Sequence, residues 1–208
     1  MARTKIGIIG AGNMGSAFAR RLAAAGHDVR ITATDPAHAE KAAAATGGKA
    51  RAVSQGEIAR DADVVIVATP YGAAADALRA AGDLTGKIVI DISNPLTADM
   101  SALSVGFTTS AAEEIQRAAP QAKVVKAFNT IFAQVLGGDG KAQVLFAGDD
   151  AGAKKTVKAL IESAGFEAVD AGPLSNARQL EPLGMLNIYL GYVAGRGTSV
   201  APEWVSVS

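Results

Sequence analysis

Three glycines near the start of the chain most constrain how it can fold. Gly10, Gly12 and Gly15 stand in the spacing G-x-G-x-x-G, directly after the apolar run Lys5–Ile9 and before an apolar-striped helical pattern. In such a turn the first glycine permits a tight change of direction, the second leaves room for a ligand, and the third lets the helix pack against the strand. Asp35 follows 20 positions after Gly15. This context predicts a dinucleotide-binding βαβ unit rather than glycines that serve packing alone.

Strand and helix patterns alternate along most of the chain. Further strands are predicted near residues 29–33, 50–53, 63–68, 87–92, 123–127, 143–147 and 167–171. Residues 63–68 form a continuous apolar run, which is typical of a parallel strand buried on both faces. The β-α-β-α-β order predicts an α/β fold of the Rossmann type, with a doubly wound, mostly parallel sheet.

The last part of the chain is expected to be helical, with Ser175 as its cap and Pro182 as a kink or a second start. Residues 183–193 are apolar nearly all round the helix, a pattern that requires burial. Because few strands remain to cover it, a second copy of the chain is the expected cover. We therefore predict a dinucleotide-binding domain over residues 1–174, a C-terminal helical segment over residues 175–208, and a homodimer.

Composition excludes several classes of partner. Lysine plus arginine and aspartate plus glutamate both number 20, so no net charge attracts the chain to nucleic acid or a membrane surface. There is no cysteine and there are only two histidines, so a metal site is not expected. No apolar stretch reaches the ~20 residues of a membrane helix. The first strand follows the N-terminus directly, so no signal peptide is expected, and a soluble, cytoplasmic protein is predicted.

Ligands of open parallel sheets bind outside the carboxyl ends of the strands. The polar or rigid residues that follow the predicted strands are Thr69, Pro70, Asn94, Pro95, Asn129 and Thr130. These residues could bind a nucleotide or simply form loops. Asp35, after the second strand, has two interpretations. It could bind the adenosine ribose hydroxyls, which would favour NAD, or it could cap the next helix while Thr32 and Thr34 contact the 2′-phosphate of NADP. No arginine follows that strand, so the residues alone lean towards NAD.

No acid–base set accompanies this nucleotide site. His27 lies in a helix-to-strand turn and is expected to be structural, and His38 is expected on a helix surface. Asp91 is expected to satisfy local backbone, and the pair Glu113–Glu114 to face solvent. Hydride transfer between two bound redox coenzymes fits, because the protein then supplies proximity and orientation. We predict no catalytic side chain and no metal.

Four segments resemble the coenzyme F420-dependent NADP oxidoreductase family, which is related to the cytosolic domain of transmembrane ferric reductases. They are residues 6–15, 91–96 (DISNPL), 125–130 (VKAFNT) and 170–187 (DAGPLSNARQLEPLGMLN). The resemblance implies NADP as cofactor and coenzyme F420 or a flavin as second redox partner, which would enter near residues 174–176. This chain departs from the family pattern at two places. Ala33-Thr34-Asp35 stands where the enzymes carry a serine–arginine type of sequence, and Asn129 stands where archaeal enzymes carry histidine.

The resemblance also assigns site residues. It implies a pyrophosphate wrapped by Gly10, Ala11, Gly12, Asn13 and Met14. It places Thr69 and Pro70 by the ribose, and Asn94 and Asn129 near the nicotinamide.

Two other functions remain open from the sequence. One is an NAD(P)H-dependent reductase of a small imine or carbonyl, with Tyr71, Tyr189 or Tyr192 as proton donor. The other is an NAD(P)-binding redox sensor that reports to a partner.

Overall fold

The computed structural model describes residues 3–207 and contains one eight-stranded sheet. Its strands are β1 (Lys5–Ile9), β2 (Asp28–Thr32), β3 (Ala50–Ala52), β4 (Val64–Val67), β5 (Ile88–Asp91), β6 (Lys123–Ala127), β7 (Gln143–Gly148) and β8 (Glu167–Asp170). The α-helices are α1 (Asn13–Ala24), α2 (Pro36–Ala44), α3 (Tyr71–Ala80), α4 (Ala111–Ala118), α5 (Ala133–Gly137), α6 (Ala151–Ser163) and α7 (Ala177–Ile188). Helix α7 continues as a π-helical turn over Tyr189–Val193.

The strands lie in the order β3-β2-β1-β4-β5-β6-β7-β8. Every neighbouring pair is parallel except β6 and β7. The chain moves outwards from β1 in one direction through β2 and β3, then returns to the other side of β1 with β4. This arrangement confirms the predicted doubly wound α/β fold, and its switch point between β1 and β4 is where such sheets bind ligands.

Both faces of the sheet are covered by helices. Strand β4 shows this directly, because Val64 and Ile66 belong to the core under α1, whereas Val65 and Val67 belong to the core under α3. On α1, Phe18 and Leu22 are fully buried, as their helical spacing predicts. Close packing on both faces therefore holds the ends of β1 and β4 in place.

Strand β7 runs against β6, which the sequence pattern did not predict. Helix α5, in the connection between them, has only five residues. It is ~7.5 Å long, whereas a five-residue strand such as β6 is ~17 Å long. Since α5 packs against α1 rather than running back along the sheet, the chain enters β7 from the carboxyl end of β6.

The C-terminal helix differs in detail from its prediction. Ser175 does not cap it, because a 3₁₀ turn over Leu174–Asn176 leads directly into α7. Pro182 lies inside α7, and the helix continues through it. Within residues 183–193 of this single chain, Gly184, Asn187 and Gly191 are buried, whereas four apolar side chains are exposed, so the expected cover by a second copy stays a prediction. The division into domains at residue 174 stays a prediction.

In residues 3–207 no helix combines the length and the apolar character that spanning a bilayer would require.

Candidate functional site

A cleft of about 1110 Å³ opens at the carboxyl edge of the sheet. The glycine turn after β1 forms its centre, and the ends of β2 and β4 lie on either side. Helices α2 and α3 contribute its outer walls. The cleft therefore lies at the switch point of the sheet, where the fold predicts a ligand.

Three glycines shape the turn in different ways. Gly10 has a φ of +107°, and a side chain there would meet the carbonyl of Ala68. A side chain at Gly15 would collide with the carbonyl oxygen of Gly10, so α1 can approach the turn only with glycine at this position. Gly12 is exposed, and a Cβ on it would meet no atom of the described chain within 4 Å. The space above Gly12 is thus open.

The start of α1 is suited to an anion. Gly12 is its N-cap, and no side chain accepts a hydrogen bond from the first-turn N–H groups. These groups carry the partial positive charge of the helix and point into the open space above the turn. A diphosphate can approach them because the N-cap has no side chain.

Asp35 caps α2, as one of its two interpretations expects. Its Oδ1 accepts a hydrogen bond from the N–H of Ala37 at 3.0 Å, and Pro36 occupies the first helical position. Its Oδ2 lies 3.9 Å from Nε2 of His38. Thr34 and Asp35 are both exposed in the cleft, so Asp35 presents a negative charge there while it stabilises the helix.

Four buried polar atoms lie without a hydrogen-bond partner at the ends of neighbouring strands. Within the described chain, these atoms are Thr69 Oγ1, Ser93 Oγ, Asn129 Oδ1 and Thr130 Oγ1. Val67, Asp91 and Lys126 are register partners across β4, β5 and β6. Thr69 and Ser93 each lie two residues after these partners, and Asn129 and Thr130 lie three and four residues after Lys126. Leaving such an atom unpaired costs about 1–3 kcal/mol, so their grouping marks this edge for a polar ligand.

Asn94 and Asn129 hold each other in place. Asn94 Nδ2 donates to the carbonyl of Asn129, and Asn129 Nδ2 donates to Asn94 Oδ1, both at 2.9 Å. A second bond runs from Asn129 Nδ2 to the carbonyl of Leu180 at 2.7 Å. Both donors of Asn129 are therefore used, and its unpartnered Oδ1 remains to accept a hydrogen bond.

The backbone before Asn129 is in a rare conformation. Phe128 has a φ of +61°, which is unusual for a bulky residue. Its ring is fully buried and makes an edge contact with Phe18 at a centroid distance of 4.9 Å. This packing fixes the turn that directs Asn129 to the strand edge, and such local strain is concentrated at functional sites.

The structure brings only part of the predicted site together in the cleft. The predicted residues that line it are Gly10, Ala11, Gly12, Asn13, Thr34, Asp35, Thr69 and Pro70. The predicted residues outside its lining are Met14, Gly15, Asn94, Pro95 and Asn129. Met14 packs against the core, Gly15 and Pro95 are buried, and the two asparagines follow the next strand ends, β5 and β6.

A buried cluster of charges lies behind the two asparagines, and the sequence did not predict it. Lys126 Nζ lies 2.7 Å from Asp91 Oδ2, 2.8 Å from Glu181 Oε1 and 2.5 Å from the carbonyl of Ser93. Glu181 also accepts the N–H of Ala111 at the start of α4. Burial raises the pKa of Glu181, although Lys126 acts against that effect. The cluster ties α4 and α7 to the strand ends beside the site.

Helix α7 closely approaches the same asparagines. A Cβ at Gly184 would lie 2.5 Å from Asn94 Oδ1 and 2.8 Å from the carbonyl of Asn129. Asn187, one turn further, donates to the carbonyl of Thr130 at 3.1 Å. The C-terminal helix thus forms one wall of the strand edge that carries the unpartnered atoms.

The pair Glu113–Glu114 does not form the solvated face that the sequence suggested. Glu113 binds Arg178 through two hydrogen bonds, at 2.6 and 2.9 Å. Glu114 accepts the hydroxyl of Tyr71, and burial together with this contact raises the pKa of Tyr71 to about 12. These contacts connect α3, α4 and α7, and neither glutamate lines the cleft.

The histidines are placed as predicted. His27 is buried, its Nδ1 accepts the N–H of Thr4 at 3.3 Å, and its Nε2 lies 2.8 Å from Ser163 Oγ. Burial lowers its pKa, and the two contacts give the imidazole a structural role. His38 is an exposed helix residue that lines the cleft.

Comparison with known proteins gives consistent matches. A family model described as "NADP oxidoreductase coenzyme F420-dependent" matches residues 5–95. The F420-dependent NADP reductase of Methanothermobacter marburgensis is 31% identical over an alignment of 208 positions, which covers 89% of this chain and 92% of that protein. A solved structure from Arthrobacter sp. FB24, provisionally named an F420-dependent NADP-reductase, has 33% identity and a TM-score of 0.83, with 94% of this chain and 96% of that chain covered.

A family of metalloreductases also matches, over part of its length. The rat metalloreductase STEAP3 is 33% identical over 182 residues, which are 86% of this chain but 36% of that protein. The chain therefore spans about a third of this relative.

Proposed function

We propose that this chain, which belongs to the family of coenzyme F420-dependent NADP oxidoreductases, transfers a hydride between NADP(H) and a deazaflavin of the F420 type. Family membership makes the chain an NADP-dependent oxidoreductase. The acceptor and the hydride transfer are what the proposal adds. The observation that carries it is the continuous edge from the uncapped start of α1 to the unpartnered atoms after β4, β5 and β6.

Different residues along this edge are proposed to bind different parts of the nucleotide. We assign the turn at residues 10–13 to the pyrophosphate, Thr69 and Pro70 to the ribose, and Asn94 and Asn129 to the nicotinamide. NADPH, when bound, would supply the hydride, so the protein has to hold and orient the two coenzymes and keep water away from them. The mutual hydrogen bonds of Asn94 and Asn129 suit them to orientation rather than to proton transfer.

The acceptor is proposed to approach near residues 174–176. Leu174 is buried in the core under α3, and Asn176 donates its side-chain amide to the carbonyl of Ala171. Ser175 is exposed between them and is the residue of the three that could meet a ligand. The names of the relatives support F420 as the acceptor, with a flavin as the alternative.

The first test is reduction of the acceptor. We expect NADPH to reduce F420 in the presence of the enzyme, seen as loss of the visible absorbance of oxidised F420 in an anaerobic stopped-flow experiment. FMN and FAD are tested in parallel, with NADH as the second donor. Reduction of a flavin but not of F420 would overturn the acceptor assignment alone, and no reduction of any of the three would overturn the proposed hydride transfer.

The reduction of an imine or carbonyl is less well supported. None of the three tyrosines lines the cleft. Tyr71 donates its hydroxyl to Glu114, and Tyr189 and Tyr192 are exposed in the π-helical turn that follows α7. That reaction would lack its expected proton donor beside the nucleotide. Turnover with F420 or a flavin would also argue against a pure redox sensor.

We further propose that α7 and the turn after it form a homodimer. Their exposed apolar side chains are Leu186 (52% exposed), Tyr189 (50%), Tyr192 (67%) and Val193 (69%). Such a group of apolar side chains on one helical segment is typical of a protein interface.

Breaking this surface should give a monomer. We expect the double variant Leu186→Asp/Tyr192→Asp to halve the mass of the wild-type dimer in light scattering, because two charges per subunit would be buried without partners. Val207→Asp, which changes an apolar residue 93% exposed in the C-terminal tail, is the control and should leave the mass unchanged. A wild-type chain that is already a monomer would contradict the proposal.

A further inference from the structure

We infer that Lys41 binds the 2′-phosphate that distinguishes NADP from NAD, and that Asp35 opposes this binding. The inference rests on the nucleotide site proposed above. The chain belongs to a family of NADP oxidoreductases, and yet no arginine directly follows β2.

The side of α2 that faces the cleft begins at the end of β2. Thr34 and Asp35 come first, and the helix then presents His38, Lys41, Ala42 and Ala45 to the cleft. Residues three and four apart lie on one face of a helix, so these side chains form one row. In a βαβ unit of this kind, the acidic residue at the end of the second strand lies at the adenosine ribose. The row therefore starts at the ribose end of the site.

Lys41 is the lysine of this row, and its charge is available. No carboxylate in residues 3–207 lies within ion-pair distance of its ammonium group, so no neighbouring side chain neutralises its charge in the cleft. A long side chain from the middle of α2 can reach towards the start of the helix. A dianionic phosphate is the kind of ligand that an unpaired ammonium at this place would attract.

Arg20 is the other cation in the lining of the cleft that lacks a carboxylate partner in the described structure. It projects from α1 and shares a second small cavity with Asn13 and Ser16, near the glycine turn. Arg20 is thus on the helix that meets the pyrophosphate, and Lys41 is on the helix that begins at the ribose. The 2′-phosphate is accordingly assigned to Lys41.

Asp35 acts in the opposite direction. Its side chain is 58% exposed and carries the same sign of charge as a phosphate, while its Oδ1 caps α2. Asparagine is as good an N-cap as aspartate, so Asp35→Asn removes the charge and keeps the helix start. The preference for NADP is therefore a balance that single substitutions can shift in either direction.

The test is calorimetric titration of the intact protein with NADPH, NADH, 2′,5′-ADP and 5′-AMP. Lys41→Gln preserves helix propensity and should weaken the binding of NADPH and of 2′,5′-ADP about tenfold, equal to about 1.4 kcal/mol. The affinities for NADH and 5′-AMP should stay unchanged. Asp35→Asn should strengthen the binding of NADPH relative to that of NADH. Lys49→Gln changes an exposed lysine that does not line the cleft and should alter none of these affinities.

The outcomes separate this inference from the site assignment. Equal weakening of NADPH and NADH by Lys41→Gln, or no weakening of either, would overturn the role of Lys41. A selective loss with Arg20→Gln instead would move the 2′-phosphate to α1. If the glycine turn itself is not the nucleotide site, Gly12→Val will leave all four affinities unchanged, and the proposed site fails before the role of Lys41 is reached.

Discussion

Gly12→Val is expected to abolish measurable binding of NADP(H) and to leave the fold intact. The new side chain would occupy the open space above the uncapped start of α1, where a diphosphate has to approach the backbone N–H groups. The unliganded protein can accept valine, because a Cβ at Gly12 meets no atom within 4 Å and the local φ is −72°. We expect a loss of at least about 100-fold in affinity, equal to about 2.7 kcal/mol, in a calorimetric titration with NADPH.

Two other glycines serve as matched controls. A Cβ on Gly140 would likewise meet no atom within 4 Å, and Gly140 does not line the cleft, so Gly140→Val should affect neither stability nor affinity. Gly15→Ala should lower the thermal unfolding midpoint, because its Cβ would collide with the carbonyl of Gly10. If Gly12→Val binds NADPH as the wild type does, the nucleotide lies elsewhere.

Much of the fold follows from local sequence patterns. The glycine spacing, the apolar strand at β4 and the stripe of α1 each depend on neighbouring residues, so they can be predicted from the chain alone. The direction of β7 depends on how short α5 is and on its packing against α1. The exposure of α7 depends on what covers it. Neither property follows from a local period in the sequence.

The site divides in the same way. The turn at residues 10–13 is local, and its geometry agrees with the prediction from its spacing. The cluster of Asp91, Lys126 and Glu181 joins three distant parts of the chain, so no motif reveals it. One signal was present, because Lys126 directly follows Val124 and Val125 in a predicted strand, and a lysine buried there would need a partner. The unpartnered atoms at the strand ends become visible only once β4, β5 and β6 are aligned.

Lys126→Met is expected to give the largest loss of stability of any variant considered. It would leave the carboxylates of Asp91 and Glu181 buried without the cation that both now contact, at 2.7 and 2.8 Å. Removing one partner from a buried ionic cluster costs about 3–5 kcal/mol, because the remaining charge is neither paired nor solvated. The measurement is the free energy of unfolding from a denaturant titration. Loss of the contact with the carbonyl of Ser93 should also disturb the neighbouring asparagine pair.

Lys123→Met is the matched control, because it makes the same change on the same strand. Lys123 forms an exposed ion pair with Asp150 at 3.0 Å, so Lys123→Met should lower the free energy of unfolding by less than about 1 kcal/mol. The difference between the two variants should depend on pH. Burial already raises the pKa of Glu181, and removal of Lys126 removes an effect that lowers it. The folded Lys126→Met variant would then hold a proton that its unfolded chain releases, so its stability should fall as pH rises above the ordinary pKa of a glutamate. A deficit that matches the Lys123 control, or that shrinks at the higher pH, would show that the buried charges do not hold α7 to the sheet.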